Sequence, residues 1–196
     1  MRFILPSCFG LAALCAPVSA GFTSSAVIDD FSSPAGPAGL GFNRTLLSGA
    51  QVGFGFCLLS NNAGLQYITN SPGFNASAYN GFSLKVNGSL GTGGLFLDVI
   101  GDGSAFVALA VDFGSTINNG YAWITFDQLD AAVGNDPGTI ASSLSSGFGF
   151  VGIGIYTTGD AAITVDNFEF RSLAVPAPGA IALAAAAGLA ATRRRR

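Results

Sequence analysis

Apolar and polar residues alternate with a period of two over short runs, and clusters of glycine, asparagine and serine separate the runs. Phe82, Leu84 and Val86 alternate with Ser83, Lys85 and Asn87, which predicts a strand with one buried face. The same reasoning predicts strands over Ala26–Phe31, Gln51–Leu59, Leu65–Thr69, Gly94–Ile100, Ala105–Phe113, Tyr121–Phe126, Phe148–Tyr156 and Ala161–Arg171. Between them lie turn clusters: Ser60 to Gly64, Gly101 to Ser104, Asn118 to Gly120 and Asn135 to Gly138. Asp127 to Val133 reads as one or two helical turns. Leu84, Val86, Leu97, Val107, Leu109, Ile124 and Ile155 are the expected core.

Short strands at regular spacing predict an all-β fold, a single antiparallel β-sandwich. The two ends of the chain read differently. Met1-Arg2, an apolar run over Phe3–Ala16 and small residues at Val18-Ser19-Ala20 form a signal peptide over residues 1–20, a helix cut after Ala20. Cys15 raises a lipid-anchor alternative, which the large Leu14 before it fits poorly. The sandwich then occupies residues 21–174, and a tail occupies 175–196.

The tail has three parts: Val175, Pro176, Ala177, Pro178 and Gly179, then an uncharged Ala/Leu/Ile span to Thr192, then Arg193, Arg194, Arg195 and Arg196. Pro176 and Pro178 stop a helix and hold an extended segment that a processing enzyme can grip. Gly179–Thr192 would make a transmembrane helix of roughly 21 Å against a bilayer core of ~30 Å, a marginal anchor. The arginines favour the cytoplasmic side, which leaves the sandwich outside. This tail resembles the PEP-CTERM sorting signals that exosortases process, in the V-P-x-P-G form, with Ala177 where the family name has Glu. The resemblance implies a bacterial secreted protein, handled by signal peptidase and an exosortase-like enzyme. It would be held transiently at the membrane by its C-terminal helix and delivered to the cell surface or extracellular matrix. A simple C-terminal anchor is the alternative.

Composition narrows the chemistry. The chain has no histidine, which removes Ser-His and Cys-His catalysis and the usual zinc sites. Between residues 21 and 174 the basic residues are Arg44, Lys85 and Arg171, against all eleven acidic residues, so no nucleic-acid surface is expected. With the signal peptide removed, Cys57 is alone in an apolar run and reads as a buried thiol.

The opening Val27-Ile-Asp-Asp-Phe31, the central Tyr121-Ala-Trp-Ile-Thr-Phe126 and the closing Thr164-Val-Asp-Asn-Phe-Glu-Phe170 resemble the jelly-roll, galactose-binding-like sandwiches of many carbohydrate-binding modules. That resemblance implies a structural calcium near the first and last strands, with Asp29, Asp30 and Asp166 as donors; no other cofactor is expected. Tyr121 and Trp123 share one face of their strand and are the candidate carbohydrate-binding rings, with core as the competing reading. Asp98 and Asp112 are a candidate carboxylate pair. With Val99 opposite Val107 they fall roughly 13 Å apart, beyond the ~5–9.5 Å of glycosidases. The sequence therefore points to a surface or matrix protein without catalytic activity. A carbohydrate-binding module acting on exopolysaccharide is the alternative, and a glycoside hydrolase-like enzyme the third reading.

Overall fold

The computed structural model describes residues 22–33, 38–69, 75–101, 107–145 and 151–173. The segments read from sequence as a signal peptide and a sorting tail, with the helix expected of each, lie outside the described residues, as does the turn Gly101–Ser104 beyond its first residue. Among the described residues no helix is long and apolar enough to cross a membrane.

Eleven strands form two antiparallel sheets: β1 (Phe22–Asp29), β2 (Asn43–Leu46), β3 (Ala50–Val52), β4 (Cys57–Ser60), β5 (Gly64–Thr69), β6 (Gly81–Ser89), β7 (Leu95–Gly101), β8 (Val107–Asp112), β9 (Tyr121–Thr125), β10 (Val151–Thr157) and β11 (Ala162–Leu173). One sheet runs β3-β4-β11-β6-β9 with β1 also on β11; the other runs β2-β5-β10-β7-β8. Only the β3–β4 and β7–β8 connections stay within a sheet, so the chain crosses between layers at nearly every turn, as in a jelly roll. β11 is the spine of the six-stranded sheet. It pairs with β6 along one edge, and with β4 and then β1 along the other.

The inward residues meet in one core. Phe82 lies 5.4 Å from Phe126, 5.8 Å from Phe168 and 4.9 Å from Phe170, and Tyr67 lies 5.3 Å from Phe168. Cys57 is buried among them, as expected, and burial pushes its thiol up to about 11, so it stays protonated at neutral pH.

Two bulges change which side chains face in. Asn167 adopts a left-handed φ of 45° and breaks the β11–β6 register between Asp166 and Glu169. The extra residue lets Val165 and Phe168 both point inward, with Asp166 and Glu169 outward, three positions apart. Ala110, at φ 53°, does the same in β8. Val99 faces Ala108, not Val107, and Leu97 faces Val111, not Leu109. Ala108 and Val111 are therefore buried, Val107 is half-buried, and Leu109, expected in the core, is 52% exposed. Leu84, Val86, Leu97, Ile124 and Ile155 are buried as expected.

Other departures have local causes. Gln51–Leu59 is a hairpin rather than one strand: Gly55, at φ 79°, turns the chain between β3 and β4. The turn leaves Phe54 82% exposed at its tip. Strand β2 carries little alternation and was not expected. Helix α1 (Phe126–Val133) matches the expected helical turns. It starts with a capping box between Thr125 and Gln128 and ends at left-handed Gly134. Packed against β9 and β8, it closes the open side between the sheets. A second short helix, α2 (Thr139–Ser145), follows in a stretch too serine-rich to predict one; the buried Asp130 carboxylate accepts the Ile140 N–H and holds its first turn.

A charged group links the layers from inside. Arg44 Nη1 lies 2.6 Å from Asp29 Oδ2, with both side chains 4% exposed, and the Tyr67 hydroxyl donates to the same oxygen at 3.1 Å. The Phe31 N–H donates to Asp29 Oδ1 at 2.8 Å. This cluster ties β1 of one sheet to β2 and β5 of the other. Burial, and then the Asp29 charge, push the Tyr67 hydroxyl well above its ordinary 10.0.

Candidate functional site

The core uses the inward side chains of both sheets, so a ligand site in this sandwich is built on an outer face. The outer face of the six-stranded sheet carries the rings singled out by sequence. Trp123 stands opposite Ser83, and Tyr121 opposite Lys85, on edge strand β9. Both rings are half-buried and outward, while Ala122 and Ile124 fill the core. Their neighbours are charged pairs. Arg171 Nε donates to Glu169 Oε2 at 2.6 Å, and its guanidinium sits 5.5 Å from the Tyr121 ring centroid. Lys85 Nζ lies 3.2 Å from Asp166 Oδ2. Ser83, between Glu169 and Trp123, is fully buried, and its hydroxyl has no partner among the described residues.

The proposed calcium donors are not brought together. Asp29 is held inside by Arg44, Tyr67 and the Phe31 N–H. Exposed Asp30 is hydrogen-bonded by the Ser32 side chain and by the Ser32 N–H at 2.9 Å, which together lower its carboxyl below the ordinary range. Asp166 faces out and pairs with Lys85. Among the described residues no three acidic or cysteine side chains gather as a metal site.

The outer face of the five-stranded sheet is different. Its middle strand, β10, reads Val151-Gly-Ile-Gly-Ile-Tyr156, so the outward positions are Gly152, Gly154 and Tyr156. Gly152 lies between Ile68 and Ile100, Gly154 between Gln66 and Asp98, and Tyr156 between Gly64 and Phe96. Two glycines where neighbouring strands carry longer side chains make β10 the low line of this face, a shallow trough in which Gly152 is buried and the Asp98 side chain lies over Gly154. A Cβ on Gly154 would come within 3.3 Å of the Asp98 Cβ. One end is walled by Phe96 and Tyr156, stacked with centroids 5.6 Å apart at 23°.

Asp98 is fixed beside this trough. Its Oδ1 accepts the Ala110 N–H at 2.5 Å and faces the Tyr156 hydroxyl at 3.4 Å. The Ala110 bulge in β8 supplies that N–H. Oδ2 lies over Gly154, 3.6 Å from where a Cβ would stand, and takes no partner among the described residues. Burial, and then the Asp98 charge, hold the Tyr156 hydroxyl above its ordinary 10.0, so it remains protonated at neutral pH. Asp112 stands opposite Phe96, two positions along from Asp98, which is nearer than the four-residue offset expected from sequence. Its Oδ1 accepts the Ser115 N–H at 3.0 Å, at the start of a 3-10 turn (Gly114–Thr116).

Sequence reasoning chose Tyr121 and Trp123 and passed over Phe96, Asp98 as a binding group, Gly154 and Tyr156. The signal was present in the glycines at alternate positions of β10, since a strand that packs on both faces has no use for them.

No protein-family model matches the sequence, and no curated protein sequence matches it. Solved structures similar in fold include carbohydrate-binding modules. TmCBM27, described for specific mannan recognition, is 14% identical with a TM-score of 0.37, over 78% of this chain and 97% of that one. CtCBM11 is 14% identical with a TM-score of 0.38, over 81% and 99%. Xylanase 10C from Cellvibrio japonicus is 13% identical with a TM-score of 0.37, over 70% of this chain but 28% of the xylanase.

Proposed function

We propose that this chain is a non-catalytic glycan-binding sandwich that acts outside the cell and grips its ligand on the outer face of the five-stranded sheet. The observation that carries this reading is the trough over Gly154, walled by stacked Phe96 and Tyr156 and edged by a carboxylate with one oxygen open. A pyranose presents an apolar face to rings and a rim of hydroxyls to acceptors, and this surface offers both. What supports export is the sequence of the two ends: a signal-peptide pattern over residues 1–20 and the PEP-CTERM-like tail over 175–196, a delivery route by signal peptidase and an exosortase-like enzyme. What supports a binding role over catalysis is the lack of histidine and the commitment of Asp98 and Asp112 to backbone donors.

Affinity electrophoresis of the full chain in gels containing soluble polysaccharides tests it. Wild type should be retarded by at least one polymer. Tyr156→Ala removes a half-buried ring worth about 1–2 kcal/mol of contact, so affinity should fall about tenfold. Gly154→Leu would push the Asp98 side chain aside and should abolish retardation, with binding compared at a temperature where both proteins are folded. Loss of binding in Trp123→Ala with Tyr156→Ala unaffected would move the site to the other sheet. Retardation by no polymer would reject the reading.

A further inference from the structure

Resting on the glycan-binding reading of this face, the geometry points to a ligand class: the trough takes neutral glycan chains and turns away polyuronates, with Asp98 as the specificity-determining acceptor. The first support is where the cations are. Residues 22–173 contain three basic side chains. Arg44 is inside the sandwich, bonded to Asp29. Lys85 and Arg171 stand on the outer face of the other sheet, paired with Asp166 and Glu169. The sheets of a sandwich are about 10 Å apart and outward side chains point away from each other, so both cations lie beyond a Debye length of about 8 Å. No cation therefore reaches a carboxylate bound in the trough.

The second support is what the trough does offer. Among the described residues the charged groups on its face are Asp98 and, two positions along the sheet, Asp112. With Oδ1 anchored by the Ala110 N–H, the Asp98 carboxylate is oriented before a ligand arrives, and Oδ2 is the acceptor that takes no partner among the described residues. A sugar hydroxyl donates to such an oxygen in a charge-assisted bond, about twice as strong as a neutral one. A uronate at the same place would bring a second anion against it without a counter-charge. The acceptor that holds a neutral sugar is thus also the group that rejects an acidic one.

Titration calorimetry of the full chain tests this with soluble mannan and soluble β-glucan as neutral probes, and polygalacturonate and alginate as acidic ones. Wild type should bind a neutral polymer at least tenfold more tightly than either acidic polymer, with an affinity for the neutral chain that salt does not change. Asp98→Asn keeps an acceptor and removes the charge: neutral affinity should fall severalfold and the discrimination should narrow by a similar factor. Asp98→Lys should invert it. Equal binding of alginate and mannan by wild type would overturn the inference and leave glycan binding standing. An unchanged neutral-to-acidic ratio in both Asp98 variants would overturn the role of Asp98. Failure to bind any of the four would remove the inference together with the reading beneath it.

Discussion

On the outer face of the six-stranded sheet, Lys85 meets Asp166, Arg171 meets Glu169, and Tyr121 lies against the Arg171 guanidinium. On the outer face of the five-stranded sheet, the corresponding centre holds Gly152 and Gly154, a stacked Phe96–Tyr156 pair, and a carboxylate with one oxygen bonded and one open. Both faces come from the same strand alternation, and both carry aromatic rings and acids. They differ in whether the polar groups satisfy one another. Long charged side chains that pair across strands cover a sheet and leave little for a ligand to replace. Glycines leave a gap, and an acceptor held rigid beside a gap is prepared for a ligand's donor. Aromatic residues on an open strand are therefore a weaker guide to a site than the small residues beside them.

The largest expected effect removes both faces at once. Arg44→Ala leaves Asp29 buried without its counter-charge and should cost about 3–5 kcal/mol. In a domain of this size that lowers Tm by about 10 °C, and Trp123 fluorescence and glycan binding should be lost in one transition. A loss below about 1 kcal/mol would show that the pair is hydrated, and that the layers are held by the apolar core alone.

A smaller effect separates the faces. Trp123→Ala should cost about 1–2 kcal/mol of stability, as expected for a half-buried ring, and leave the affinity of the folded protein for glycan unchanged. Unfolding in urea and calorimetry on the same sample read both numbers. A tenfold loss of affinity at unchanged stability would reverse the roles assigned to the two sheets.

The smallest effect concerns the one unsatisfied group on the paired face. The Ser83 hydroxyl is buried without a partner among the described residues, so Ser83→Ala should raise stability by up to about 1 kcal/mol. A loss of that size would mean that the hydroxyl is used, by water or by a ligand, and would move the ligand site to the six-stranded face.

Much of the architecture was legible from the chain. Alternation in Phe82–Asn87 located β6, the Asn118–Gly120 turn located the start of β9, and the run after Phe126 announced α1. Where the reading failed, one residue was responsible: Ala110 turned left-handed and sent Leu109 to solvent, and Gly55 folded a presumed strand into a hairpin. The three carboxylates named from sequence as calcium donors are held apart for a different reason. Asp29 finds Arg44 fifteen residues away and Tyr67 thirty-eight residues away, and nothing local to its own strand signals either.

By itself, the sequence determined the β-rich class, the absence of histidine chemistry, the scarcity of cations and which residues share a side of each strand, because composition and period-two alternation are local properties. Tertiary structure alone decided which side became core and which strands became neighbours. It set Phe96 on Tyr156 across sixty residues of chain, and Asp98 beside Gly154, through the pairing of β7 with β10. It also aimed the Ala110 N–H at the Asp98 carboxylate through a bulge that no residue type announces. Register and bulges are settled by packing between distant segments, and a site built across three strands exists only once that packing is made.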